Sequence, residues 1–255
     1  MTRVPALVAT ALEDGVLTLS LDRPEKRNAL SAAVVEELHL ALERAELDAE
    51  VRVVLLRGVG KDFCAGADLD ELLASADRSP AENEATALRL GSLFTAIRRL
   101  PKPVVAMVHG RALAGGAGLA TACDLVVAGQ SSQLGYPEIQ RGFVPAMVMT
   151  ILRRLAGERA ALDLVLTGRT VGAEEARALG LVSRVVADAR LEAESVELCR
   201  ALAAGSASAV AFTKRLFHEL DGVGFEQGIA LGARVNAVAR QTPEFREAID
   251  RFLHL

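Results

Sequence analysis

The chain has 255 residues, a formal net charge of −4, and a composition that is 51% hydrophobic and 24% charged. That length holds one large domain or two small ones with a sizeable core, and the charge excludes a general attraction to nucleic acid or to an acidic membrane surface. Ala, Val and Leu carry the apolar share, with no Trp and one Tyr, Tyr136, a profile that suits helices packed on a sheet better than a β-sandwich.

Residues 1–10 contain one Arg and no apolar run of signal-peptide length. No stretch approaches the roughly 18 apolar residues of a membrane span, so a soluble protein with no membrane partner is expected. Residues 7–12 and 16–21 flank Glu13-Asp14-Gly15, a hairpin signal. Ser31 caps a helix predicted over 32–46. A full capping box would need an acid at position 34, which is Val34. The β-branched runs 51–57 and 103–109 end at Gly58 and Gly110 and lead into helix-forming sequence. That is the order of β-α-β units with right-handed crossovers. Residues 124–128 form a third such run.

After Pro145 the spacing predicts helices over 147–155, 159–166, 173–179, 191–203, 208–220, 225–239 and 243–253, interrupted only at 182–186. The expectation is an α/β portion, 1–205, followed by a helical portion, 206–255. No Pro/Gly/Ser linker separates them, so the helical part should pack on the body or on another subunit.

Cys64, Cys123 and Cys199 are widely spaced and odd in number, which argues against a disulfide framework or a zinc site and fits a reducing cytoplasm. None of His39, His109, His218 and His254 has a second His at ligand spacing, so no metal site is expected. Two glycine-rich segments stand out, Phe63-Cys64-Ala65-Gly66-Ala67-Asp68-Leu69 and Gly110-Arg111-Ala112-Leu113-Ala114-Gly115-Gly116-Ala117-Gly118-Leu119. Each follows a predicted strand and opens a helix, where unpaired N–H groups can hold an anion or a developing oxyanion. Tight strand-to-helix packing would also demand such glycines. The second segment lacks the Lys of a Walker loop, G-x-G-x-x-G is not completed after Gly58, and no G-x-S-x-G is present.

With histidines set aside, proton chemistry falls to a carboxylate. Glu138, in Leu134-Gly135-Tyr136-Pro137-Glu138-Ile139, sits in an apolar context that can raise its pKa and poise it to give and take protons. A solvated loop acid is the alternative for this segment alone.

These segments, with Leu21 to Leu30, Leu166-Thr167-Gly168 and Ala173 to Arg184, resemble in order the motifs of the crotonase superfamily of enoyl-CoA hydratases and isomerases. The resemblance runs nearly end to end. It implies an α/β spiral of β-β-α units with an all-helical C-terminal part, assembled as a homotrimer or a dimer of trimers through residues 206–255. It implies an oxyanion hole from the backbone N–H groups of Ala67 and Gly115. Coenzyme A contacts would come from Lys26, Arg27, Ala67, Asp68, Leu69 and Asp70, with Gly115 and Gly118 on the acyl side. No separate cofactor is implied, coenzyme A entering as part of an acyl-CoA thioester substrate.

The chain departs from the hydratase pattern at Gly118, where a second glutamate is usual, and at Pro145-Ala146-Met147-Val148-Met149, where glycines are usual. Being about one helical turn from Gly115, residue 118 is expected to face the same pocket. The mechanism favoured is therefore an isomerase-type double-bond shift with Glu138 alone as proton carrier. A hydratase using Glu138 alone and a non-catalytic acyl-CoA-binding module are the alternatives.

Overall fold

Asp14 and Gly15 adopt φ of 50° and 77°, the left-handed pair of a type I′ turn, and join β1 (Val8–Glu13) to antiparallel β2 (Val16–Leu21) as the hairpin signal requires. The structure, a computed structural model, describes residues 6–254; residues 1–5 and 255, the extremes of the two predicted portions and half of the stretch 1–10, lie outside the described residues. Four parallel strands extend the hairpin: β3 (Val53–Gly58), β4 (Val104–Val108), β6 (Leu125–Gly129) and β9 (Arg184–Val186), in the order β1-β2-β3-β4-β6-β9. A second sheet holds β5 (Arg111–Leu113), β7 (Gln133–Gly135) and β8 (Thr170–Gly172). From β4 to β7 successive strands alternate between the sheets, so the chain advances as a spiral. β8 is a second interruption in the predicted helical run. At three residues it is too short for alternation to announce it.

Both faces of the large sheet are covered, and its central strands are accordingly apolar apart from Arg57 near the end of β3. Val54 and Leu56 point into the main core against α1 (Ala32–Leu47), while Val53 and Leu55 point the other way onto α7 (Leu191–Ala203). Ser31 Oγ accepts the Val34 N–H at 3.3 Å and caps α1. Beyond α2 (Leu69–Ala74), a full capping box of Ser79 and Glu82 starts α3 (Pro80–Arg99). α4 (Gly115–Ala122) is buried along its whole length. α5 (Ala146–Thr167) breaks at Gly157, whose φ of 74° and ψ of 168° are open only to glycine. The break separates the two helices expected over 147–155 and 159–166.

After α6 (Ala173–Ala178) and α7, the helical ending comprises α8 (Ala207–Glu219), α9 (Phe225–Ala239) and α10 (Pro243–Leu253). α8 is fastened to the body by a buried lysine. Lys214 Nζ lies 2.6 Å from Asp124 Oδ2 and donates to the carbonyls of Ile97 and Lys102 at 2.8 and 3.0 Å. No residue of α9 or α10 is buried, and Phe225 and Phe252 are 85% and 75% exposed.

Candidate active site

Three parallel backbone segments position the site: the stretch at Cys64, β5 to which it is bridged, and β7, the last two in the second sheet. Cys64 bridges Ala112 of β5, and Ala112 pairs with Leu134 of β7, so the three residues stand side by side. Three residues onward along the first two segments lie Ala67 and Gly115; four onward along the third lies Glu138. All three candidates therefore emerge together beyond the carboxyl ends of parallel strands, where open α/β sheets place their ligand crevices.

Leu30 N–H donates to Gly66 O and Asp68 N–H to Leu30 O, so the first turn is clamped on both sides of Ala67. Gly66 has φ of 98°, and a Cβ there would meet Ala114 Cβ at 2.8 Å and Leu113 O at 2.9 Å. In the second turn Ala114 itself holds φ of 52° and ψ of −126°, a conformation that L-residues rarely adopt. Such strain persists only where surrounding contacts impose it. Here Ala114 N–H is tied to Gly135 O at 2.8 Å, and the strained residue turns the Gly115 N–H out of the helix start. Among the described residues, neither the Ala67 N–H nor the Gly115 N–H has a hydrogen-bond acceptor. A Cβ on Gly115 would come within 3.9 Å of the Ala67 nitrogen, which brings the two donors to one place.

Glu138 occupies the short 3₁₀ helix Pro137–Arg141, closed by Gly142 at φ of 68°. Its side chain is buried and Oε2 has no hydrogen-bond partner. Loss of water around it raises its pKa, opposed by its own backbone N–H and by the Arg141 charge.

One cleft of about 430 Å³ joins these groups. Lys26, Arg27, Ala67, Asp68, Leu69, Asp70, Gly115 and Glu138 all line it. Asp68 is committed structurally. It caps α2 through the Asp70 N–H and receives Arg23 Nη2 at 3.0 Å. Burial opposes its ionisation, but Arg23 and the N–H groups of Asp70 and Glu71 outweigh this and hold its pKa below the usual range. Lys26 Nζ pairs with Asp70 at 2.6 Å on the exposed rim. Burial pushes the Cys64 thiol, beneath the first turn, up to about 12, which leaves it unreactive.

Gly118 departs from expectation, since it does not reach the cleft. A Cβ there would lie 2.3 Å from Val148 Cγ1 and 3.1 Å from Phe94 Cζ, so α5 and α3 already fill that side of α4. Val148 lines the cleft in its place, with Pro145, Ala146 and Met147 forming a bulky apolar wall where glycines would be usual. Arg141 and Leu90 also line the cleft without having been picked out from the sequence. Arg141 was legible in principle, because residues i and i+3 of a 3₁₀ helix eclipse.

The family model for enoyl-CoA hydratase/isomerase matches residues 11–254. A Thermus thermophilus protein provisionally named an enoyl-CoA hydratase is 45% identical over 237 residues, covering 93% of this chain and 94% of that one. The crystal structure of an enoyl-CoA hydratase from Mycobacterium smegmatis superposes with a TM-score of 0.94 at 36% identity, covering 97% and 96% of the two chains. An enoyl-CoA hydratase structure from Bacillus anthracis gives 0.91 at 31% identity, covering 97% and 96%. The chain belongs to the enoyl-CoA hydratase/isomerase family, within the crotonase superfamily, and is an enzyme of that family.

Proposed function

We propose that the cleft binds an acyl-CoA thioester with its carbonyl oxygen between the N–H groups of Ala67 and Gly115, and that Glu138 alone moves the proton. The observation that carries this reading is the buried Glu138 carboxylate, with no partner on Oε2, in one cleft with two unspent backbone donors. Glu138 takes a proton from the α-carbon of a 3-enoyl thioester. The electron pair moves onto the thioester oxygen, where the two donors stabilise it. Protonated Glu138 returns the proton at the γ-carbon, leaving the double bond conjugated. No second acid takes part, and Val148 fills the side of α4 from which one would extend.

A second reading, water addition to a 2-enoyl thioester with Glu138 as both base and acid, is favoured by the hydratase names of the relatives. The two are separated by supplying purified protein with a 3-enoyl-CoA and a 2-enoyl-CoA of equal length. Conjugation of the first without hydration of the second supports the shift, and the reverse supports the hydratase. Turnover of neither, with the thioesters bound, would leave a binding module.

The exposed apolar residues of α9 and α10 fit subunit contacts within a trimer or a dimer of trimers. Light scattering on Ile229→Asp tests this, with smaller assemblies expected. The chemistry suits a cytoplasmic protein, whose three buried thiols stay reduced. Among the described residues no helix is long and apolar enough to cross a membrane.

A further inference from the structure

Arg141 is the last residue of the 3₁₀ helix that carries Glu138, and the i, i+3 spacing sets both side chains on one face. Its Nη1 donates to Pro137 O at 3.3 Å, which draws the guanidinium back over the turn of the acid. Both residues line the cleft, and Arg141 remains open to solvent there.

The Arg141 charge is felt by the Glu138 carboxylate but is not spent on it in a direct pair. Among the described residues Arg141 makes no ion pair, whereas Lys26, at the coenzyme end of the same cleft, is already paired with Asp70. The residues after Arg141 in the chain that line the cleft are Phe143, Val144, Pro145, Ala146, Met147 and Val148, which offer no acceptor side chain. A neutral hydrocarbon chain laid against this wall would gain nothing from a guanidinium and would cost it hydration. A carboxylate at that place would receive a planar, two-donor fork.

We propose that Arg141 receives a carboxylate carried on the acyl group, so that the enzyme prefers dicarboxylic acyl-CoA thioesters to plain fatty acyl ones. This rests on the reading of the cleft as an acyl-CoA site and adds the substrate class. Arg141 is a substrate-binding residue here, and Glu138 remains the proton carrier.

The test measures binding by calorimetry of saturated, unreactive thioesters: hexanoyl-CoA, and succinyl-, glutaryl- and adipyl-CoA to find the reach. Wild type is expected to bind one of the dicarboxylic thioesters about ten- to a hundredfold tighter than hexanoyl-CoA, the range for a hydrogen-bonded charge. Arg141→Met should abolish or invert that ratio and Arg141→Lys should restore part of it. The pH profile of turnover on a neutral enoyl-CoA separates a second role. If Arg141 acts only by lowering the pKa of Glu138, Arg141→Met shifts the profile upward while the affinity ratio stays put, and the proposal fails. A wild-type ratio near one, or one untouched by Arg141→Met, overturns it while leaving the cleft's assignment standing. Failure of all four thioesters to bind overturns both.

Discussion

A side chain on Gly118 and the Cγ1 methyl of Val148 compete for the same space, since a Cβ on the glycine would come to 2.3 Å from that methyl. The departure from the two-acid pattern is thus built from both helices: α4 withholds the carboxylate and α5 fills the room it would need. Neither substitution reverses the arrangement alone.

Gly118→Glu by itself should therefore overpack the contact with Val148 and Phe94 and lower stability by about 1–3 kcal/mol. Gly118→Glu with Val148→Gly should recover most of that loss and set a second carboxyl toward Glu138. Two close carboxylates do not both ionise readily, so one becomes an acid near neutral pH. The ratio of hydrated to isomerised product, measured on one substrate, should rise in the double variant. An unchanged ratio in a folded, active double variant would show that residue 118 lies too far from the reacting carbons.

Glu138→Gln should retain thioester binding and lose about 10²–10⁴-fold in turnover, the usual contribution of a general acid–base group. It should also change the pH dependence of stability. Burial raises the Glu138 pKa, so the folded protein holds this proton more tightly than the unfolded chain does. The stability linked to that proton is present below the ordinary glutamate pKa and is lost as pH rises through the raised folded value. Above that raised value the wild type carries a buried charge that the glutamine variant lacks. Melting should show Glu138→Gln the more stable at pH 7, with the difference shrinking below the ordinary glutamate range. Equal melting at both would mean the carboxylate is better solvated than its burial indicates.

Gly115→Ala gives a test of the oxyanion site that spares the fold. The added methyl would meet Leu30 Cδ1 at 3.6 Å and Leu90 Cδ2 at 3.7 Å, ordinary contacts, and it replaces a glycine at a helix start. It would also stand 3.9 Å from the Ala67 nitrogen, over the place of an oxygen shared by both donors. Melting should be preserved while kcat/KM falls by about 10²–10³, as when one donor is lost. Full activity would move the oxygen site elsewhere.

Ala114→Gly relieves the strained backbone before the second turn. Residues in sparsely populated conformations cost about 1–3 kcal/mol each, and glycine returns about 0.5–1 kcal/mol of that in unfolded-state entropy. A net gain of about 1 kcal/mol in urea unfolding is expected, since the strain exceeds the entropy it trades against. A loss of stability would show that this conformation carries little strain.

Local chemistry made much of this molecule legible. The hairpin at Asp14-Gly15, the Ser31 cap and the break between 155 and 159 follow from residues whose conformational demands are met by near neighbours. Glu138 could be picked out because Pro137 and Ile139 mark an apolar surround. The expectation for Gly118 failed because helical spacing defines a face but not what packs on it. α4 is buried on every side, and the face at 118 is claimed by Phe94 and Val148, distant in the chain. β5, β7 and β8 escape periodicity because three residues hold barely one alternation. Their sheet nevertheless brings Ala67, Gly115 and Glu138 together.

The lysine that fastens α8 bears on the order in which the molecule can be completed. Asp124 Oδ2 receives the Val104 N–H at 2.7 Å as soon as β4 and β6 pair, but its cation arrives 90 residues later in synthesis. Until Lys214 leaves the ribosome, the sheet carries a carboxylate on the flank that α8 will cover, and hydration there must persist. Docking α8 without that ammonium would strand the charge, a loss of about 3–5 kcal/mol for a buried pair with one member missing. A nascent chain stopped at residue 205 therefore keeps this flank wet, and the body closes there only when the C-terminal helices are made.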